Sequence, residues 1–492
     1  MTLKIRIIFL FWLVGSFMRG FAQTQTLDPQ IKDDYTDIAG LDHYKEWAGY
    51  NVHDPSCIKV GEYYYVYSTD AIYFPRNAER KNPEVKQGNI QVRRSKDLVH
   101  WEFLGWALDK IPDEAIQHIR SVSGGKEPQN VWAPYVLKQG NIFRMYYAVS
   151  LFGKKTSYIG LATSTSPTGP WTQAGDVVKT DSTSLMNAID PTIVDDVANK
   201  KQWMLYGSYF GGLYCVELNP VTGLPVKEGD LGHLVVNRAD TKSRVVEAPE
   251  VIYNPQFKKY YLFVSYDALF THYNVRVGRA DKPEGPYCDR NGRNMADTTN
   301  NYPILTYAYR FQNHAGWAGV GHCSVINDNG AYYMLHQGRL APTNQPMVLH
   351  VRKMFWTKDG WPVVSPERYA NVPQRKIEKK ELIGEWEQIE LTEIADKTQL
   401  WQGQIRGGWK YDTTLFNNSK LVELLVNGNV KNQKDMYWKL SGQSLEVVNS
   451  ATKEKLELLI WREWDWENKR PTIVFSGINK QGLGIWGKKK TL

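Results

Sequence analysis

The chain is poor in cysteine: four in 492 residues, at Cys57, Cys215, Cys288 and Cys323. They are scattered and form no C-x-x-C pair, so neither a disulfide scaffold nor a zinc knuckle is called for. Whether they pair is left open. Long apolar runs are missing too. The run at residues 7–14 is too short to cross a bilayer. Charge of one sign is in short supply. The formal net charge is +8, and Lys4, Arg6 and Arg19 supply part of it within the first 22 residues. About +5 remains elsewhere, too weak and too dispersed for a nucleic-acid surface. Before about residue 370 no segment shows a long helical period.

Residues 1–22 have the texture of a secretory signal: a basic start, the short apolar core and "GFA" ending at Ala22. No Cys follows that point, so a lipid anchor is not indicated. The expectation is a secreted or periplasmic protein without membrane insertion once the signal is cleaved.

What the chain has in excess is aromatic: 13% of residues, with 18 Trp and 29 Tyr. Such rings pack sheets or stack on ligands with apolar faces, such as sugars. Five stretches share one layout: "HDPSCIKVGEYYYVYS", "WAPYVLKQGNIFRMYYAV", "IDPTIVDDVANKKQWMLYGS", "EAPEVIYNPQFKKYYLFVSYD" and "GHCSVINDNGAYYMLHQG". Each has a short apolar run, a polar turn and an aromatic-rich run, which is a hairpin. Pro55, Pro134, Pro191 and Pro249 open the first four, and Cys323 holds that place in the fifth. The spacing of 57 to 79 residues leaves room for four strands per unit. The predicted fold is all-β: a five-bladed β-propeller over residues 23–375, followed by a small C-terminal β-barrel domain over 376–492. A β-sandwich is the alternative, but it does not explain the recurring strand start.

In a propeller the innermost strands line a central channel, so equivalent positions converge. Asp54, Ala133, Asp190, Ala248 and His322 all stand just before the Pro or its substitute, and Glu247 adjoins Ala248. Two Asp, a Glu and a His should therefore crowd one channel end, with Trp132 beside them. One Asp-Pro alone is usually a turn start. Matched positions change the balance, because a buried cluster of like charges is costly without a use. Crowded carboxylates cannot all ionise, so at least one pKa rises. Glycoside hydrolysis needs that split between a protonated acid and an ionised partner.

The ordered set "HDP" (53–55), "WAP" (132–134), "YYAVSLFG" (146–153), "IGLATSTSPTGPW" (159–171), "NAIDP" (187–191), "YGSYFGG" (206–212), "EAP" (247–249), "YNVRVGRA" (273–280) and "GVGHCSV" (319–325) resembles glycoside hydrolase family 43. Within it the likeness is to the endo-α-1,5-L-arabinanases, over roughly residues 45 to 370. The resemblance implies Asp54 as general base, Glu247 as general acid and Asp190 as the group that tunes the acid. It implies inversion of configuration, with the Asp54 and Glu247 carboxyls about 6.5–9.5 Å apart. It implies Trp132 and Phe152 as sugar platforms, and His53, Asn187, Ser208 and Tyr209 as further substrate contacts. His322 matches a channel histidine near a calcium ion, or else is a satisfied core histidine. Arabinan or a related plant cell-wall polysaccharide is the implied partner of a monomeric enzyme without an organic cofactor. Other readings are an exo-acting arabinanase, an α-L-arabinofuranosidase, a β-xylosidase, or a glycan-binding propeller that has lost catalysis. Departures from the pattern are Tyr135, Cys323 and a polar insertion at residues 74–89. The tail carries strand-like runs and no catalytic constellation. Its Trp at 386, 401, 409, 438, 461, 464, 466 and 486 suit a core better than a sugar platform.

Overall fold

A computed structural model describes residues 28–72, 87–196, 198–239, 245–297, 300–343, 346–393 and 412–491. The expected signal at 1–22, most of the insertion at 74–89, and Trp401 and Trp409 lie outside them. The fold is all-β, a β-propeller followed by a second β-rich domain.

Each of the first three sheets is a four-stranded antiparallel meander. The first runs through Ser56–Val60, Tyr63–Ser68, Asn89–Ser95 and Glu102–Leu108. The second uses Val131–Gln139, Ile142–Ser150, Ser157–Ser164 and Thr172–Thr180. The third uses Thr192–Asp196, Lys201–Ser208, Gly212–Leu218 and His233–Val236. A fourth sheet has three strands, Val246–Asn254, Lys259–Tyr266 and Asn274–Ala280. In the fifth, Ser324–Asp328, Ala331–Leu340, Met347–Trp356 and Pro362–Val364 pair in succession. The recurring hairpins form as the turn residues require. Asn329 and Gly330, at φ 52° and 91°, join paired Asp328 and Ala331 in the manner of a type I′ turn.

The second strand of each unit is buried along nearly its whole length, because it lies between two neighbouring sheets. Apolar clusters join the first sheet to the second, the second to the third, the third to the fourth, the fourth to the fifth and the fifth back to the first. Main-chain bonds from Asn51 to Met347 and from Leu349 to Gly49 add to the last junction. A two-layer sandwich does not share cores in this cyclic way.

No long helical period marks the sequence before residue 370, yet among the described residues an α-helix forms there at Asp113–Ser123. The causes are local. Pro112 precedes it, Asp113 and Glu114 sit in its first turn, and Gly124 ends it at φ 72°. Only Ala115 and Ile119 are buried, a stripe too narrow to stand out in the sequence.

The tail forms one antiparallel sheet of seven strands. Its order is Lys420–Leu424, Gly384–Glu390, Gly484–Lys489, Arg470–Ile478, Lys455–Asp465, Ser444–Asn449 and Met436–Ser441. Trp386, Trp438, Trp461, Trp464, Trp466 and Trp486 are all buried in it or against the propeller, as a core reading requires. Several contacts among the described residues tie the domains together, two of them prominent. Asn417–Asn418 adds a parallel strand to Tyr309–Arg310 of the propeller. The ammonium of Lys488 is enclosed by Glu367 at 3.0 Å, Asp465 at 2.8 Å and Glu467.

Candidate active site

The five matched positions share one unusual backbone conformation. Asp54, Ala133, Asp190, Ala248 and His322 have φ of 51°, 41°, 56°, 55° and 51°. None is glycine, and each left-handed residue costs roughly 1–2 kcal/mol. In the second and fourth sheets the ladder slips here, between Trp132 and Tyr135 and between Glu247 and Glu250. Such a bulge turns side chains out of the sheet repeat. Four of the five residues have their N–H held by a side chain of another sheet. Asp54 donates to Gln337 Oε1 at 3.3 Å, Ala133 to Thr69 Oγ1 at 2.7 Å, Ala248 to Asp190 Oδ2 at 3.1 Å and His322 to Ser265 Oγ at 2.8 Å. The strained turns are thus held in place from the side.

The carboxylates differ in environment. Asp54 is contacted by His322 Nδ1 at 3.0 Å and His53 Nδ1 at 3.3 Å, and accepts the Thr69 hydroxyl at 2.6 Å. Burial opposes its charge, but the two imidazoles and their hydrogen bonds win, and its pKa falls well below the ordinary 3.8. His53 is braced from behind by the carbonyl of Asp70, 3.1 Å from Nε2. Asp190 has no such cationic pair. Burial and the Asp54 charge outweigh His322 and the Ala248 N–H, and its pKa rises to about 6. Burial raises Glu247 most, and the neighbouring Asp190 raises it further, to about 8. The Tyr273 hydroxyl lies near Glu247 but outside hydrogen-bonding geometry, and offsets only part of this. His322 is pushed up to about 9, since attraction from Asp54, Asp190 and Glu247 exceeds the effect of burial. At neutral pH the floor therefore holds an imidazolium, an ionised Asp54 and a protonated Glu247.

A cleft of about 550 Å³ opens over this floor. Its lining takes in the three carboxylates with His53 and His322, and Trp132, Phe152, Asn187 and Tyr209 of the expected substrate contacts. Phe152 is 68% exposed, and its ring meets Trp132 edge-on at 6.3 Å. Ser208 is not in the lining. It sits behind, accepting the Asn187 amide at 3.2 Å while Ser157 donates to Asn187 Oδ1 at 2.6 Å. It orients Asn187 and does not face the cleft. The sequence reading missed Thr69, Gln337, Phe270 and Arg339. The Arg339 guanidinium lies 4.7 Å from the Phe270 ring centre, and both line the cleft. Nothing local marks these residues, because each is recruited by contacts across sheets.

The donors near His322 are a poor fit to a protein-caged calcium. Calcium takes six to eight oxygens. One His322 nitrogen is engaged by Asp54, and the nearby carboxylates are those of the floor itself. Among the described residues, the one compact group of three acidic, His or Cys ligands is Glu367, Asp465 and Glu467. Lys488 already fills its centre.

The sequence matches the model of glycosyl hydrolases family 43 over residues 49–362, and that of a C-terminal lipocalin-like domain over 366–487. It is 28% identical over 478 residues to an extracellular endo-α-(1→5)-L-arabinanase of Thermotoga petrophila, covering 89% of this chain and 93% of that one. It is also 28% identical over 344 residues to an extracellular exo-α-(1→5)-L-arabinofuranosidase of Cellvibrio japonicus, covering 66% of this chain and 90% of that one. The crystal structure of an endo-1,5-α-L-arabinanase from Thermotoga petrophila superposes with a TM-score of 0.72 at 27% identity, covering 90% of this chain and 98% of that one.

Proposed function

Because the chain belongs to glycoside hydrolase family 43, we propose that it is an exported endo-arabinanase that cleaves α-1,5-L-arabinofuranosidic bonds with inversion. The observation that carries the mechanism is the split among the carboxylates: Asp54 held ionised by two histidines, Glu247 held protonated by burial and Asp190. Glu247 gives its proton to the leaving glycosidic oxygen. Asp54 takes a proton from a water that attacks the anomeric carbon from the opposite face. Asp190 keeps Glu247 protonated and holds the Ala248 N–H beside it. Room for that water calls for Asp54 and Glu247 carboxyls about 6.5–9.5 Å apart. Trp132 and Phe152 present stacking faces, and Asn187, Tyr209 and His53 supply polar contacts to arabinose hydroxyls.

Five blades are our reading of the propeller, supported by the cyclic series of shared cores and the five left-handed residues. A closed barrel is our reading of the tail. Its support is the loop after Lys420–Leu424, where Leu424 bridges Val430 and Asn429 bridges Tyr437 of the opposite edge strand. A calcium beside His322 would be held chiefly by water. The leader at 1–22 directs export, and the working unit is a monomer.

Endo action is supported by the relative that aligns over both domains, itself an extracellular endo-α-(1→5)-L-arabinanase. The test is a time course on linear arabinan. Early mixed oligosaccharides fit endo action, and one small product from the outset sinks it. Proton NMR of the first-formed product, showing a β-configured reducing end, checks inversion.

A further inference from the structure

Two residues beyond each left-handed position stands a polar side chain: Ser56, Tyr135, Thr192, Glu250 and Ser324. These five form a closed hydrogen-bonded belt one layer below the carboxylates. Val136 N–H donates to Ser56 Oγ at 3.0 Å, joining the second sheet to the first. Cys57 N–H donates to Ser324 Oγ at 3.1 Å, joining the first to the fifth. Ser324 Oγ and Val325 N–H both donate to Glu250 Oε1, at 3.4 and 2.8 Å, joining the fifth to the fourth. Thr192 Oγ1 donates to Glu250 Oε2 at 3.2 Å, joining the third to the fourth. Tyr135 O–H donates to the Ile193 carbonyl at 2.9 Å, joining the second to the third.

Glu250 is the node of this belt, and three of its bonds have a common meaning. Thr192 lies two residues after Asp190. Ser324 and Val325 lie two and three after His322. Glu250 itself lies three after Glu247, beyond the bulge. One buried side chain thus ties together the three strand starts that carry the acid, its tuner and the imidazolium. Innermost strands have no sheet partner toward the axis, so their spacing depends on side-chain bonds: those at the left-handed residues above and those of Glu250 below. We propose that Glu250 is a positioning residue, whose three accepted hydrogen bonds set the separation of Asp190, Glu247 and His322.

Its surroundings suit this work. Burial raises Glu250 to about 7 against the pull of Val325 N–H, Thr192, Ser324 and His322. Cys57, Cys323 and Tyr135 also face it, and their own values are raised, by burial first and by Glu250 second. None of these neighbours supplies a compensating cation at contact distance. The hydrogen bonds, and not an ion pair, hold the group.

The inference rests on the glycosidase reading, and the experiment separates the two. Wild type, Glu250→Gln, Glu250→Ala and Thr192→Val are compared on linear arabinan for kcat, KM and pH profile, with thermal unfolding beside them. Gln keeps the Oε1 acceptor, and the Thr192 hydroxyl can rotate to accept from its amide. Glu250→Gln is expected to stay within about threefold of wild-type kcat. Glu250→Ala is expected to lose about tenfold or more in kcat with KM little changed, since small misplacements of catalytic groups are costly. Its alkaline limb should move to lower pH, because Glu247 drifts from Asp190 and loses the repulsion that raises it. Thr192→Val, which removes one bond, should show the same shift in smaller measure, and it serves if Glu250→Ala does not fold. A merely structural role would lower the unfolding midpoint and leave the pH profile in place, and that result overturns the proposal. Wild type inactive on arabinan would instead overturn the glycosidase reading.

Discussion

The Nδ1 of His322 lies 3.0 Å from the Oδ1 of Asp54, and the two come from opposite ends of the propeller sequence. This pair holds the carboxylate proposed as the base. Asp54→Asn removes the proposed proton acceptor and should lower kcat by about 10²–10⁴-fold. His322→Ala leaves Asp54 with His53 alone. The Asp54 pKa should then rise, and the acidic limb of kcat/KM should move to higher pH. An acidic limb that stays put in His322→Ala would exclude the pair from this role.

Glu247→Gln tests the proposed acid. Activity on arabinan should fall by about a thousandfold, while an aryl α-1,5-arabinooligosaccharide with a good leaving group should lose far less, because that group departs unprotonated. The same variant should gain stability at alkaline pH. Glu247 titrates near 8 in the fold against an ordinary 4.5. Its raised value contributes stability that is complete below 4.5 and lost as pH climbs through 8. Glutamine has no such titration. A thermal midpoint at pH 9 equal to or below that of wild type would contradict this.

The wild-type pH profile should be asymmetric. Activity should survive into acid well below the usual aspartate range, since Asp54 is depressed, and should decline on the alkaline side near the Glu247 value of about 8. Asp190 and Glu247 titrate together, so the decline belongs to the pair. An acidic limb near pH 6 would show that Asp54 is not the ionised partner.

Phe152 presents most of its ring to solvent above Trp132. Phe152→Ala should raise KM for long arabinan several-fold, in line with roughly 1 kcal/mol for an aromatic face, and leave kcat nearly unchanged. Equal KM values for the two proteins would assign Phe152 no platform role.

Lys488 is almost fully buried among Glu367, Asp465 and Glu467. Lys488→Met leaves that acidic group without its cation and should destabilise the protein by about 3–5 kcal/mol. Denaturant unfolding checks this, and a shift under 1 kcal/mol would mean that the acids simply take up protons.

Much of the floor of the cleft is legible in the sequence because it follows a local rule. An acidic or imidazole residue before a strand-opening Pro or Cys recurs at matched positions, and propeller symmetry brings the copies together. The belt below was not legible. Glu250 and Val325 are 75 positions apart, and no local pattern pairs them. Arg339 and Gln337 escaped for the same reason. The resemblance implies Ser208 as a substrate contact, but its side chain is buried behind Asn187. The helix Asp113–Ser123 was missed because two buried residues make no period. In the tail, the strand Asn417–Asn418 joins a sheet of the other domain, a partnership invisible to any window on the sequence.

The ring of left-handed turns also holds two blank sockets. Ala133 and Ala248 have the backbone shape of Asp54 and Asp190, but carry only a methyl group. The scaffold therefore separates address from content: five mounts, of which three carry a functional group directly. A polar side chain grafted at Ala133 would be delivered beside Trp132 without rebuilding a strand. Chemistry on this axis can be rewired one mount at a time.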